Sequence, residues 1–277
     1  CNMKTYIPVV VVVMLILSGC KPAQQNETQT VAQSQPAAAP VAVEQNDCEL
    51  TLGMDAWEPY QYMTVGNTVA GLDVEIVQAV MDNMDCSLNV IQGSWLELLT
   101  LLKQGEVDFV LGASKTDDRE AFAYFSEPYR QERFQLYVRK DQANLPYADL
   151  AAFLADGHKV GVVNEYYYGD EVAALYADET QRSKFVGAII SELNMARLLD
   201  EEIDGLLEDS FVGASILRRK GLDKYIQPHS ISLGSSDVYV MFSKESVSPT
   251  QVEQFNSGLA QLRDNGSYSR IMEKYSH

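Results

Sequence analysis

The sequence predicts an α/β protein with two structural units. Short runs rich in β-branched residues alternate with amphipathic helical segments, a pattern typical of parallel sheets covered by helices. The chain of 277 residues is long enough for one large domain or two ordinary ones, and its 46% of hydrophobic residues can form a core. Two extended runs separate the alternating segments into two sets. We therefore expect two units with mixed, mostly parallel sheets and helices on both faces.

The first unit begins with a β-rich run. Its strands are predicted at 48–54, 87–92 and 107–111. A helix is predicted over 73–84, because apolar residues recur there at helical spacing. A second helix begins where Ser94 and Glu97 have the spacing of a capping box, and it ends at Gly105.

The second unit repeats this alternation. Its strands are predicted at 159–163, 185–189 and 203–207, and its helices at 169–176, 192–199 and 210–220. Two extended runs lie outside this set, at 134–139 and 237–242, and two further helices follow, at 248–263 and 267–275. A C-terminal segment that returns to the first unit makes both units discontinuous in sequence. Small ligands usually bind in a cleft between two such lobes.

The N-terminus predicts export. An apolar run over 6–17 follows Lys4 and ends in two small residues before Cys20. This run is too short for a membrane-spanning helix, which needs about 20 residues, and its charged-then-apolar order is typical of a secretory signal. The residues before Cys20 resemble the lipobox of bacterial lipoproteins. We expect a signal peptide over 1–19, a lipid on Cys20 and a flexible Gln-, Ala- and Pro-rich linker over 20–47, with a plain signal peptide as the alternative.

Composition and motif content exclude several classes of function. The chain has 21 Lys+Arg against 39 Asp+Glu, a net charge of −18 and no Lys/Arg-rich run, so we expect no nucleic-acid binding. The histidines, His158, His229 and His277, do not have the spacing of metal ligands, and no Gly-rich phosphate loop is present. We therefore expect no metal, no cofactor and no catalytic activity.

Two cysteines remain in the folded body, Cys48 and Cys86. An even number of cysteines in an oxidising compartment favours a disulfide. A metal pair and two free thiols are the alternatives, and two cysteines with no nearby histidine make a poor metal site.

Several short motifs, in this order and spacing, resemble a known family. They are WEPY at 57–60, GLD at 71–73, WLELL at 95–99, GEVD at 105–108, SKTDDR at 114–119, FSEPY at 125–129 and FN at 255–256. The chain from Cys48 to Tyr275 resembles the bacterial extracellular solute-binding proteins of family 3, which serve polar amino-acid ABC transporters. The resemblance implies a type II periplasmic-binding-protein fold, in which two lobes joined by a two-strand hinge close on a ligand. We expect lobe 1 over 48–138 and 241–277, and lobe 2 over 139–240.

The resemblance also implies ligand contacts in the first lobe. Arg119 would bind a carboxylate, to which its planar pair of donors is well suited; the alternative is a solvated arginine. Gly112 and Ser114 would offer backbone and hydroxyl groups to the main chain of the ligand. Trp57 and Tyr60 flank a proline and would contact the ligand side chain, with local packing as the alternative.

In the second lobe, Asp209 resembles the acid that accepts the ammonium group of the ligand. Either Asp209 or Ser210 is also well placed to cap the helix predicted at 210–220. One carboxylate could have both roles.

The sequence departs from the family after the first strand of the second lobe. Amino-acid binders usually have Gly followed by Thr or Ser there, which makes an anion site at a helix N-terminus. This chain has Glu165 and Tyr166 instead. The bulkier, more acidic pair allows a larger, cationic or aromatic ligand, although the tyrosines at 166–168 could equally pack on the lobe surface.

The sequence thus predicts a monomeric, non-enzymatic solute-binding protein, held by a lipid anchor on the periplasmic side of the cell envelope. It would capture a small polar, amino-acid-like ligand for an ABC permease. A ligand-sensing module for a membrane receptor and a dehydratase-like enzyme on the same fold are the alternatives, because fold does not determine function.

Overall fold

The structure, a computed structural model, describes residues 48–275. The predicted signal peptide, the lipidation site at Cys20 and the linker lie outside the described residues. No helix in this part of the chain is both long and apolar enough to span a bilayer.

The first sheet contains the β-strands at both ends of the chain. Its strands are β1 Glu49–Met54, β4 Ser87–Gln92, β5 Phe109–Ala113, β6 Ala123–Phe125 and one end of β11 Ile226–Ser243. β1 pairs in parallel with β4 and β5, whereas β11 runs antiparallel to β5 and β6. A separate two-stranded hairpin is formed by β2 Tyr62–Met63 and β3 Val69–Ala70.

The second sheet has the same mixed character. Its strands are β7 Arg130–Arg139, β8 Val160–Val163, β9 Phe185–Ala188 and β10 Gly205–Asp209. β8 pairs in parallel with β9 and β10, and β7 runs antiparallel to β10.

Two long strands join the sheets. β7 and β11 pair antiparallel with each other, and β11, at 18 residues, also pairs with β5 of the first sheet. We call the unit built on β1–β6 lobe 1 and the unit built on β8–β10 lobe 2. The finer lobe boundaries at 138/139 and 240/241 stay predictions.

Helices cover both sheets. Lobe 1 carries α1 Leu72–Asn83, α2 Trp95–Gln104, α3 Asp117–Glu120, α9 Pro249–Asp264 and α10 Ser267–Lys274. Lobe 2 carries α4 Leu150–Ala155, α5 Asp170–Ala177, α6 Glu179–Arg182, α7 Ser191–Leu199 and α8 Ser210–Lys220. The short helices α3, α4 and α6 and the β2–β3 hairpin were not predicted.

The predicted capping boxes form. The Ser94 hydroxyl accepts from the Glu97 N–H, and the Glu97 carboxylate accepts from the Ser94 N–H at 2.9 Å. Ser248 and Gln251 make the same reciprocal pair at the start of α9. Because each box satisfies helix N–H groups that would otherwise have no partner, both helices begin where the sequence predicts.

Two predicted strands lie two residues further along the chain than expected. β5 and β10 were expected at 107–111 and 203–207. The residues before them complete the preceding helices instead: the Glu106 N–H donates to the Leu101 carbonyl and the Glu202 N–H to the Arg197 carbonyl. As a result, Asp209 is the last residue of β10.

A disulfide joins the beginnings of β1 and β4. Cys48 and Cys86 are bonded across a sequence separation of 38 residues. The predicted disulfide is therefore confirmed, and the alternatives of free thiols or a metal pair are wrong.

Candidate functional site

A cleft between the lobes contains two adjoining cavities. The smaller one, of about 20 Å³, has room for one water molecule. It is lined by Asp55, Trp57, Gln61, Trp95, Leu111, Gly112, Ser114, Arg119, Glu132, Phe134, Tyr166 and Tyr167. The larger one, of about 710 Å³, is lined by residues that include Tyr60, Arg130, Arg133, Asp209 and Phe211, and Glu132 lines both cavities.

The six residues predicted as ligand contacts divide between these cavities. The smaller cavity brings together Trp57, Gly112, Ser114 and Arg119, all of lobe 1. Tyr60 and Asp209 lie in the larger cavity instead. The predicted carboxylate and ammonium contacts therefore face adjoining parts of one cleft.

Arg119 is held at the base of the cleft by α3. The Thr116 hydroxyl caps this helix by accepting from the Arg119 N–H, and the guanidinium is buried. Its Nη1 donates to the Ser114 carbonyl at 2.8 Å and its Nη2 to the Glu165 carbonyl at 2.7 Å. Burial lowers the pKa of Arg119 from its usual value, with both hydrogen bonds made to neutral acceptors. Arg119 is thus a buried cation, not a solvated one.

Gly112 lies near the end of the neighbouring strand β5, and Ser114 directly follows that strand. Gly112 has a φ of 71°, and a Cβ there would lie 3.1 Å from the Trp57 ring, so a side chain would disturb the cavity wall. The Gly112 N–H donates to the Tyr129 hydroxyl at 3.0 Å. The Ser114 hydroxyl donates to Glu132 Oε1 at 3.0 Å.

Three buried carboxyl groups line the cleft, those of Asp55, Glu132 and Asp209, and a fourth, that of Glu208, accepts from Trp57 Nε1 of the cavity wall at 3.2 Å. Burial raises the pKa of Asp55 to about 6, and of Glu132 and Glu208 to about 7. Burial also raises the pKa of Asp209. One oxygen of Glu208, Oε2, has no hydrogen-bond partner among the described residues. Burial thus disfavours the charged forms of these acids, and Arg130 is an opposite charge that acts on both Glu132 and Asp209.

The second arginine of the cleft is already neutralised. Arg130 Nε and Nη2 donate to the two oxygens of Asp73 at 2.7 and 3.0 Å, and both side chains are buried. The guanidinium lies 3.6 Å from the centroid of the Tyr60 ring. Arg130 thus orients Tyr60. Among residues 48–275, Arg119 is the buried arginine that has no carboxylate partner.

Asp209 caps α8, as one of the two predicted roles requires. Its Oδ1 accepts from the N–H groups of Phe211 and Val212 at 2.8 and 3.1 Å. Tyr60 stacks on Phe211 with 6.1 Å between ring centroids. The cap holds the Asp209 carboxyl at the edge of the larger cavity.

The residues that depart from the family pattern contact lobe 1 across the cleft. Glu165 has a φ of 64°, and its carbonyl accepts from Trp95 Nε1 at 3.1 Å as well as from Arg119. The Tyr166 hydroxyl donates to Asp55 Oδ2 at 2.9 Å. The tyrosine at 166 is therefore an interlobe contact and not a surface residue.

Four residues of this site were not predicted from the sequence. Trp95 lies in a family motif and Glu208 precedes Asp209, so both had a local signal. Asp55 lies two residues before Trp57 and could have been found in the same way. Glu132, just before the extended run predicted at 134–139, had no such signal.

Comparison of sequences shows which family the chain matches. The profile of the bacterial extracellular solute-binding proteins, family 3, matches residues 50–277. Over 229 residues the chain is 23% identical to the arginine-binding extracellular protein ArtP of Bacillus subtilis (strain 168), an alignment that covers 82% of this chain and 86% of that protein. Over 224 residues it is 26% identical to a probable histidine-binding protein of Neisseria gonorrhoeae, with 78% of each chain covered.

Solved structures show the fold. The arginine-, lysine-, histidine-binding protein ArtJ from Geobacillus stearothermophilus superposes with a TM-score of 0.69 at 22% identity, covering 82% of this chain and 95% of that chain. A histidine kinase sensor domain with similarity to periplasmic binding proteins gives a TM-score of 0.73 at 22% identity, covering 83% and 96%. The predicted two-lobed type II fold is confirmed.

Proposed function

The chain belongs to the bacterial extracellular solute-binding proteins of family 3, and we propose that it binds a cationic amino acid between its lobes for an ABC-type permease. The observation that carries this proposal is the charge of the cleft. Three buried carboxyl groups line it and a fourth, Glu208, bonds to Trp57 of its wall, against one buried arginine whose partners are neutral.

The arginine gives the ligand a carboxylate site. Arg119 is buried beside Gly112 and Ser114, and its planar donors suit a carboxylate better than the ammonium group of a lysine would. We assign it to the α-carboxylate of the ligand. Trp57 and Tyr60 would provide aromatic walls, one in each cavity.

The acids of the cleft favour a ligand that carries positive charge. Glu132 lines both cavities, and Asp209 faces the larger one. Both have pKa values raised by burial, so a cation between them would regain part of the solvation that they lose. We assign Asp209 to the α-ammonium group and Glu132 to a cationic side chain. Relatives described as arginine-binding and as probable histidine-binding support a cationic amino acid as the ligand.

The remaining features of the proposal concern the cell. We propose that residues 1–19 are a signal peptide, that Cys20 carries a lipid and that this anchor is the contact with the membrane. The protein would act as a monomer without catalysis, metal or cofactor, and would not bind nucleic acid.

Titration calorimetry with four ligands tests the assignment. Arginine is compared with citrulline, which has the same shape without the side-chain cation, and with agmatine, which has the cation without the carboxylate. Lysine extends the series. We expect arginine or lysine to bind. Citrulline, whose side chain is neutral, and agmatine, which lacks the carboxylate, should both bind more weakly. If no carboxylate-bearing ligand binds, the proposed function is wrong.

Variants of the carboxylate site complete the test. Arg119→Ala removes a buried charged donor and should weaken binding by at least about 30-fold. Arg197→Ala is the matched control, because Arg197 also donates to a backbone carbonyl, that of Gly187, but lies outside both cavities. Equal affinities of the wild type and Arg119→Ala would refute the carboxylate assignment alone.

A further inference from the structure

Residues 164–168, which connect β8 to α5, reach from lobe 2 into the carboxylate site of lobe 1. The Glu165 carbonyl accepts two hydrogen bonds from lobe 1, from Trp95 Nε1 at 3.1 Å and from Arg119 Nη2 at 2.7 Å. The second amino group of Arg119 is bonded to the Ser114 carbonyl. The chain thus places its own oxygen where the carboxylate of a ligand would meet Arg119.

Tyr166 extends this contact. Its hydroxyl donates to Asp55 of lobe 1 at 2.9 Å. Its ring meets the edges of Trp57 and Trp95, each with 6.0 Å between ring centroids. Because these side chains fill the part of the cleft beside Arg119, the cavity left there is only about 20 Å³, far smaller than an amino acid.

The backbone conformation and hydrogen bonds of the segment hold it in this position. Glu165 has a φ of 64°, a left-handed conformation uncommon for a residue with a side chain. The Tyr166 N–H donates to the Val163 carbonyl, and the Tyr168 hydroxyl accepts from the Val163 N–H at 2.7 Å. These bonds within lobe 2 fix the turn that directs the Glu165 carbonyl outwards.

We propose that residues 164–168 form a latch that closes the lobes on each other in the absence of ligand, with the Glu165 carbonyl occupying the carboxylate site of Arg119. Tyr166 locks the latch through Asp55. A ligand must displace the Glu165 carbonyl from Arg119 in order to bind. Glu165 and Tyr166 therefore help to determine which ligands enter. The statement about displacement rests on the proposed function, whereas the latch itself does not.

The two tryptophans of the chain report on the latch directly. Trp57 and Trp95 are the only tryptophans in the sequence, and both contact Tyr166. We measure acrylamide quenching of their fluorescence, and the radius of gyration by small-angle X-ray scattering, on the full-length protein without ligand. Quenching reports exposure of the indoles, and the radius reports separation of the lobes, which a local packing defect would leave unchanged.

Two matched pairs of variants separate the latch from simple packing. Tyr166→Ala should increase the radius of gyration and raise the quenching constant about twofold by shifting the population to the open form. Tyr176→Ala should change neither, because Tyr176 lies outside residues 164–168 and its ring packs against Phe185 of its own lobe, with 5.4 Å between ring centroids. Glu165→Pro should also open the lobes, because proline cannot adopt the observed φ, whereas Glu165→Gly should leave them closed.

The outcomes are distinct. If Tyr166→Ala and Glu165→Pro keep native circular dichroism, the wild-type radius and the wild-type quenching constant, the latch is wrong. If Tyr166→Ala fails to fold, the comparison of Glu165→Pro with Glu165→Gly tests the latch. These measurements use no ligand, so a failure of the proposed function leaves their result unaffected.

Displacement is tested with the ligand found by calorimetry. If the latched form is about 90% populated, Glu165→Pro should bind that ligand about tenfold more tightly than the wild type, because the competing state is removed. Glu165→Gly should bind as the wild type does. Unchanged affinity in an open Glu165→Pro variant would refute the statement that the ligand displaces the carbonyl.

Discussion

Removal of the Asp73 carboxylate should destabilise the protein strongly. Asp73 and Arg130 form a two-bond ion pair, at 2.7 and 3.0 Å, and the exposed fractions of the two side chains are 0% and 2%. The Tyr129 hydroxyl also donates to Asp73, at 2.6 Å. Asp73→Ala therefore leaves a buried guanidinium without its bonded carboxylate and a buried hydroxyl without its acceptor.

The size of the effect follows from the burial. Breaking a buried ion pair by removing one partner costs about 3–5 kcal/mol, because the remaining charge is not compensated. For a body of this size, that corresponds to a decrease in Tm of about 6–20 °C. The loss should exceed the effect of breaking an exposed pair such as Lys115 with Glu120, which is worth at most about 1 kcal/mol.

A double-mutant cycle in urea measures the pair. The variants are Asp73→Leu, Arg130→Met and the combination of the two. The combined variant should lose much less stability than the sum of the single variants, because it leaves no buried charge. If the three free energies of unfolding are additive within about 0.5 kcal/mol, the two charges are not coupled and the reasoning fails.

Three further predictions concern stability. Burial raises the pKa of Glu208 to about 7, above its value in the unfolded chain, so the stability of the wild type should decrease as pH rises from 5 to 8. Glu208→Gln should remove about 3 kcal/mol of that decrease, as measured by thermal melts. If the stabilities of the wild type and of Glu208→Gln change with pH in parallel, this prediction is wrong. Gly213→Ala places a Cβ 2.4 Å from the Tyr137 ring and should cost about 1–3 kcal/mol in urea, recovered by adding Tyr137→Leu; no recovery would disprove the clash. Cys48→Ser should lose about 4 kcal/mol, the loop-closure value for a separation of 38 residues, and wild type treated with reductant should match it; if reductant has no effect, Cys48 and Cys86 are not bonded.

Much of the fold could be predicted because its signals are local. The capping boxes at Ser94 and Ser248 and the glycine at 105 fix helix ends from within a few residues. The helices α4 and α6 were missed because they have only six and four residues, too short to show a periodic apolar face. The shifted strands β5 and β10 show the same limit, since the hydrogen bonds that displace them depend on where the preceding helices end.

The site was only partly predictable, because its key pairs are distant in sequence. Arg119 could be assigned by resemblance to a family motif. Glu132, in contrast, meets Ser236 across 104 residues, and Tyr166 meets Asp55 across 111. Such pairs form only when the two sheets are joined, so no local pattern indicates them.

The departure from the family at Glu165 and Tyr166 and the acidity of the cleft explain each other. The usual small residues would give lobe 2 donors for the carboxylate of a ligand. In this chain that position provides a carbonyl oxygen and a tyrosine ring, so lobe 2 has no comparable anion site at this turn, and the carboxylate site that we propose is Arg119 of lobe 1. Lobe 2 contributes Asp209 instead, which attracts positive charge. A bound amino acid should therefore point its carboxylate towards lobe 1 and its cationic groups towards the hinge and lobe 2, an orientation that favours a dibasic ligand over a neutral one.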